Sequence, residues 1–127
     1  MNSSDLKVRH YRHLKVWERS MGVAKTVFKL TERYPKQQTF GLAIQSQRAA
    51  ISIPSNIAEG QARDSTLEFL HHISYALGSL AELETQLILA ADLGFVAPQA
   101  IDDLLSQLNE IGKMLRGLQK SLKAKQR

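Results

Sequence analysis

Apolar residues recur along this chain at steps of three and four, the spacing of one face of an α-helix. The pattern divides into four segments and predicts helices over about residues 14–34, 40–60, 66–93 and 98–123. The third is the most regular, because Ile73, Leu80 and Leu87 repeat at intervals of seven. No alternating apolar pattern typical of strands occurs. The sequence therefore predicts an all-α fold.

Residues that start and stop helices lie between these segments. Pro35 is expected to end the first helix, and Thr39 can cap the second. Ser65 with Glu68 forms a capping box at the start of the third helix, Gly94 suits its C-terminal cap, and Pro98 suits the first turn of the fourth.

Short connections of about four to six residues between long helices favour antiparallel neighbours. We therefore predict an antiparallel up-down-up-down four-helix bundle over residues 14–123. Residues 1–13 form a basic N-terminal arm in this interpretation, and residues 124–127 form a basic C-terminal tail.

The second helix contains a proline, Pro54, although its apolar pattern continues on both sides. This predicts one helix kinked at Pro54 and ending at Gly60. Counting outward from a turn at 61–64 places Arg48 near Leu77, Gly78 and Glu82. Gly78 would then allow close helix approach, and Arg48 could form a buried or interfacial ion pair with Glu82.

The first helix carries two apolar stripes, which is more than one bundle core needs. One stripe contains Leu14, Trp17, Met21, Ala24, Phe28 and Thr31, and the other contains Val16, Val23, Val27 and Leu30. A helix with two apolar sides often buries the second side against a partner chain.

Charge is distributed unevenly along the chain, whose net charge is +5. Residues 1–36 hold nine Lys and Arg against three acids, and residues 65–112 hold seven acids and no Lys or Arg. Residues 113–127 hold six bases and no acid. The two basic ends would meet at one pole of an antiparallel bundle, where they could contact phosphates.

The candidate phosphate contacts form two groups. The N-terminal basic group is Arg9, Arg12, Lys15 and Arg19, interleaved with His10, Tyr11, His13 and Trp17, whose rings could stack on bases. The C-terminal basic stripe is Lys113, Arg116, Lys120 and Lys123, extended by Lys125 and Arg127. Alternatively, these residues solubilise the termini and are offset by the acidic third helix of a neighbouring subunit.

Catalytic and metal-binding patterns in the sequence are weak. The chain has no cysteine, and Glu68-x-x-His71 is half of a di-iron pattern whose second half is missing. His71 and His72 are expected to be one exposed and one partly buried histidine. No nucleotide-binding loop or hydrolase motif occurs. We therefore expect no catalytic residue, metal or cofactor.

No apolar run reaches the roughly 18 residues of a membrane helix, and residues 1–7 do not read as a signal peptide. Together with the lack of cysteine, this favours a soluble cytoplasmic protein.

The stretch ISIPSNIAEGQAR at 51–63, with LEFLHHISYALGSLAELETQLILAADLGF at 67–95, resembles the four-helix-bundle family of bacterial 23S rRNA intervening-sequence proteins. LKVWERS at 14–20 resembles that family's first helix. A more distant similarity is to the accessory variability protein of diversity-generating retroelements. The residues that we assign to this structural motif are Arg48, Pro54, Asn56, Glu59, Gly60, Gly78 and Glu82.

The resemblance implies a cytoplasmic ring of five subunits with a basic surface, a role with nucleic acid, and no enzymatic activity. From the residues and the resemblance together, we expect a homo-oligomeric protein that binds RNA or DNA. The alternative is a scaffold or accessory subunit that docks another protein through the bundle surface.

Overall fold

The computed structural model describes residues 10–126, and within that range it contains four α-helices and no strand. The helices are α1 (Lys15–Thr31), α2 (Ile44–Ala62), α3 (Thr66–Asp92) and α4 (Gln99–Lys125). Short 3₁₀ turns at Tyr11–His13 and Lys36–Gln38 precede α1 and α2, and a π-helical turn at Thr39–Ala43 leads into α2.

The helices pack as a bundle in which α1 and α3 lie diagonally. Each of α1 and α3 packs against both α2 and α4. Two hydrogen bonds set the register between α2 and α3: one joins Ser79 Oγ to Ser52 Oγ, and the other joins Asn56 Oδ1 to His72 Nδ1. Later residues of α2 pair with earlier residues of α3, so these two helices run antiparallel.

The core is aliphatic and runs the length of the bundle. Its fully buried members include Ile53 and Ile57 of α2, Ile73, Leu83 and Leu87 of α3, and Leu104, Leu108, Ile111 and Leu115 of α4. From α1, the stripe that enters the core is Val16, Val23, Val27 and Leu30. The Trp17, Met21 and Phe28 stripe of α1 instead lies beside the core, towards α2.

Local chemistry accounts for the ends of α3. The Ser65 side chain accepts a hydrogen bond from the Glu68 N–H at 3.2 Å, which confirms the predicted N-cap. Gly94 has a φ of 79°, the left-handed conformation that glycine adopts most readily. Pro98 is the N-cap residue of α4.

The predictions for both ends of α2 were wrong. The helix continues past Gly60 to Ala62, and the residue with a left-handed φ, 54°, is Asp64. Asp tolerates this conformation better than most residues. At the N-terminal end, the backbone N–H of Leu42 donates a hydrogen bond to the Gln38 side chain at 3.4 Å, so Gln38 rather than Thr39 is the capping residue.

Pro54 lies inside α2, which runs from Ile44 to Ala62 without interruption, and its side chain is buried. The predicted kink at Pro54 stays a prediction. No helix in residues 10–126 is long and apolar enough to cross a membrane.

Candidate nucleic-acid interface

The C-terminal basic stripe is a row of exposed cations on α4. Lys113, Arg116, Lys120 and Lys123 are all exposed, and their spacing of three, four and three places them on one side of the helix. The row spans ten residues, or about 15 Å of helix. Such a row can follow the phosphates of a nucleic-acid backbone.

Three members of the stripe share one cleft. Arg116, Lys120 and Lys123 line a space of about 420 Å³ together with Gln119. No carboxylate of residues 10–126 pairs with any of these three cations, whereas Lys113 Nζ lies 3.6 Å from Glu110 Oε1. Gln119 was not predicted, although its position one turn from both Arg116 and Lys123 places it on the same side of α4.

The N-terminal basic group, which belongs to α1 and the turn before it, is near a different side of α4 from the C-terminal basic stripe. Arg19 lines a cleft with Ser106, Gln107 and Glu110, whereas Lys113 and Arg116 line one with Glu84 of α3. Arg12 and Lys15 are exposed at the start of α1. Both basic groups are therefore at the same end of the bundle, but they do not share a cleft. Arg9 and Arg127 lie outside the described residues.

The aromatic rings near the N-terminal basic group contact one another. Tyr11 stacks on His10 with ring centroids 4.6 Å apart, and its edge meets Trp17 at 5.5 Å. Trp17 also lines an apolar groove, so this ring is partly occupied by contacts within the chain. His13 is exposed.

Asn56 of the structural motif forms, with Ser52, a polar network between α2 and α3. The Asn56 amide donates to Ser52 O at 2.9 Å and to Ser52 Oγ at 3.0 Å. Its Oδ1 lies 3.0 Å from His72 Nδ1, which donates to it in the tautomer protonated at Nδ1. Glu59 Oε2 is 3.7 Å from the same nitrogen. This network fixes the register of the two helices.

The glycine that brings α2 and α3 together is Gly60 rather than Gly78. A Cβ at position 60 would stand 2.7 Å from His72 Cβ and 2.9 Å from Phe69 Cδ1. A Cβ at Gly78 would have no atom within 4 Å apart from its own helix backbone. The predicted role of Gly78 in packing α2 against α3 was therefore wrong.

The predicted buried ion pair between Arg48 and Glu82 was also wrong. Both residues are exposed, and no salt bridge between them occurs within residues 10–126. An ion pair across an interface between chains stays a prediction.

The histidine pair agrees with the sequence analysis. His72 is buried at 8% exposure, and His71 is exposed and lies 4.0 Å from Glu68 Oε2. In residues 10–126, no cluster of three or more His, Asp or Glu side chains could hold a metal ion.

An apolar groove of about 580 Å³, here called the α1–α2 groove, lies between α1 and α2. Trp17, Met21 and Phe28 line it from α1, and Ile51 and Pro54 line it from α2. The charged residues in its lining are Lys25 and Lys29. The α1 side was visible in the sequence as the apolar stripe that contains Trp17, Met21 and Phe28, but the contribution of Ile51 was not predicted.

Comparison with known proteins places this fold and motif in a family. No protein of curated function matches the chain. A crystal structure of a protein of unknown function from Bacteroides thetaiotaomicron, assigned to the S23 ribosomal protein family, superposes with a TM-score of 0.76 at 24% identity. The match covers 83% of this chain and 98% of that one, and it shows a shared fold. The sequence model of the 23S rRNA-intervening sequence proteins matches residues 12–117, so the chain belongs to that family.

Proposed function

We propose that this protein is a non-enzymatic, cytoplasmic homo-oligomer that binds RNA or DNA by holding phosphates on its basic surface. The observation that carries the proposal is the C-terminal basic stripe. Four exposed cations follow one side of α4, and three of them share a cleft with no carboxylate paired to them in residues 10–126. Unpaired cations of this kind are available to phosphate oxygens.

The N-terminal basic group supplies a second set of contacts at the same end of the bundle. Arg12, Lys15 and Arg19 are exposed, and Arg19 lines a cleft with residues of α4. Because the cleft that Arg19 lines also contains the Glu110 carboxylate, we expect Arg19 to contribute less than the C-terminal basic stripe. A ring of several subunits, five as the resemblance implies, would repeat both groups and increase affinity through multiple contacts.

A non-enzymatic role agrees with the chemistry of the site. Exposed lysine and arginine side chains bind phosphate by charge and hydrogen bonding. Among the described residues, the cleft is lined by Arg116, Lys120 and Lys123 with Gln119 and Ala124, and none of its lining residues is a Ser, Thr, His, Asp or Glu that could act as nucleophile or general base. The family name refers to an intervening sequence of 23S rRNA, so structured RNA is the first ligand to examine.

Fluorescence anisotropy with structured RNA, single-stranded DNA and duplex DNA, each at two salt concentrations, tests the proposal. We expect binding of at least one probe that weakens steeply with salt, because counterions are released from the phosphates. Absence of binding to all three would overturn it.

The second candidate function is a scaffold or accessory subunit that docks another protein. The α1–α2 groove favours it, since an open apolar groove is suited to protein contacts. Light scattering that shows a monomer, together with no affinity for the three nucleic acids, would support this second function instead.

A further inference from the structure

The exposed large apolar side chains of residues 10–126 fall mainly on two surfaces. Phe28 and Ile51, exposed by 40% and 46%, belong to the α1–α2 groove. A second surface, here called the α3 outer face, carries Leu67, Tyr75, Ile88 and Leu89, together with Gly78 and Glu82. Single exposed apolar residues are ordinary, but two groups on defined surfaces indicate contacts that one chain leaves open.

These two surfaces cannot cover each other within one chain. The helices α1 and α3 are diagonal in the bundle, since each packs against α2 and α4. The groove lies between α1 and α2, whereas the α3 outer face points away from all three other helices. Any contact between the two surfaces must therefore join different chains.

The charges at the two surfaces are opposite. Lys25 and Lys29 are in the lining of the groove, and Glu82 is exposed on the α3 outer face. The whole of α3 contains four acids, Glu68, Glu82, Glu84 and Asp92, and no Lys or Arg. Groove against groove would bring lysines together, so pairing of unlike surfaces is favoured.

Gly78 gives the α3 outer face a place for close approach. Glycine within a helix is unfavourable relative to alanine, and no atom of this chain outside the glycine's own helix backbone lies within 4 Å of a Cβ at position 78. Ser74 and Ala81, one turn away on each side, are also small and exposed. A second helix could approach α3 closely at this point.

From these observations we infer that the α1–α2 groove of one copy receives the α3 outer face of a second copy. Such a contact is heterologous, because different surfaces of identical chains meet, and its repetition gives a closed ring or an open filament. The inference rests on the homo-oligomer of the proposed function and adds the two surfaces that form its interface.

Two variants test the interface by blocking one surface each. Phe28→Glu places a carboxylate in the groove that would repel Glu82, and Gly78→Arg places a bulky cation on the α3 outer face. Both positions are exposed, so we expect each variant to fold, with circular dichroism as the check. Gly117→Arg on α4 is the matched control. Like Gly78, Gly117 has no atom outside its own helix backbone within 4 Å of where a Cβ would stand.

Light scattering on the separate and mixed variants is the measurement. The wild type and Gly117→Arg are expected to assemble, and Phe28→Glu and Gly78→Arg are each expected to be monomers. An equimolar mixture of the two monomers should form a complex of two chains that grows no further, because only one intact groove and one intact α3 outer face remain. The emission of Trp17, the single tryptophan, should shift to shorter wavelength in the Gly78→Arg partner, whose groove is filled.

Several results would overturn the inference. Assembly of either variant alone, or a mixture that stays monomeric, contradicts the pairing of these surfaces. A monomeric wild type contradicts both the interface and the homo-oligomer, while nucleic-acid binding is measured separately by anisotropy. If Phe28→Glu fails to fold, Lys25→Glu with Lys29→Glu replaces it, and Glu82→Lys combined with that pair should restore assembly.

Discussion

Gly60 of α2 and His72 of α3 are in such close contact that the glycine has no room for a methyl group. A Cβ at position 60 would stand 2.7 Å from His72 Cβ, and that atom is fixed to the α3 backbone and cannot swing away. Gly60 thus sets how closely α2 and α3 pack near their connecting turn, immediately beside the polar network of Asn56.

Gly60→Ala should lower the free energy of unfolding by about 1–3 kcal/mol, because the overlap outweighs the better helix propensity of alanine. Urea denaturation at one fixed protein concentration measures this. Gly117→Ala is the matched control, and it should raise the unfolding free energy by up to about 1 kcal/mol because it meets no neighbour. An equal effect of the two substitutions would contradict the packing role of Gly60.

Asn56→Ala should destabilise the protein by about 1–3 kcal/mol, because His72 Nδ1 and the Ser52 hydroxyl both lose a partner in a partly buried site. Asn109→Ala on the exposed side of α4 is the control and should stay within about 0.5 kcal/mol of wild type. A double-mutant cycle between Asn56 and His72 should give a coupling above about 0.5 kcal/mol. Additive effects would argue against the network.

The burial of Tyr34 lets us predict how the free energy of unfolding responds to alkaline pH. Burial raises the pKa of the Tyr34 phenol above its usual 10.0, because the charged phenolate loses hydration. The folded protein then holds this proton more tightly than the unfolded chain. The contribution of protonated Tyr34 to the free energy of unfolding is complete below pH 10 and is lost as the pH rises through the raised pKa.

Tyr34→Phe should therefore flatten the loss of stability above about pH 10, which is the unfolded-state value. At neutral pH it should leave stability unchanged or raise it by up to about 1 kcal/mol, because the buried Tyr34 hydroxyl has no hydrogen-bond partner within residues 10–126. Thermal unfolding of both proteins from pH 7 to pH 11 gives the comparison. A Tyr34→Phe variant that is less stable at pH 7 would show that the hydroxyl is satisfied.

The helices and several of their ends could be predicted because those signals are local. A period of 3.6 residues, a serine that caps the third helix and a glycine that adopts a positive φ each act within a few residues. Ser65 and Gly94 have the roles that the sequence indicated.

Contacts between helices could not be predicted in the same way, because the register depends on packing across the whole bundle. The count outward from the 61–64 turn that placed Arg48 near Leu77 also pairs Asn56 with about position 69 and Ser52 with about position 73. The structure instead joins Asn56 to His72 and Ser52 to Ser79. A shift of three to six residues is about one turn or more. Gly78 makes no contact with α2 because it is exposed, whereas the adjacent Ser79 bonds to Ser52.

Of the candidate site, the sequence predicted the basic residues but not their grouping. Lys113, Arg116, Lys120 and Lys123 form a stripe because their spacing on α4 is itself helical. Whether Arg19 would join them depended on how α1 rotates against α4, and the structure places Arg19 in a separate cleft, which Ser106, Gln107 and Glu110 also line.

The central claim is that the C-terminal basic stripe binds nucleic-acid phosphates, and the salt dependence of binding tests it most directly. Lys120→Gln with Lys123→Gln removes two cations of the stripe. Arg33→Gln with Lys36→Gln removes the same charge from exposed positions at the opposite end of the bundle. The slope of log affinity against log salt should become shallower by about 1 for each lysine removed from the stripe, and it should keep its wild-type value in the control. Equal slopes in the two double variants would contradict the assignment of the phosphate site to α4.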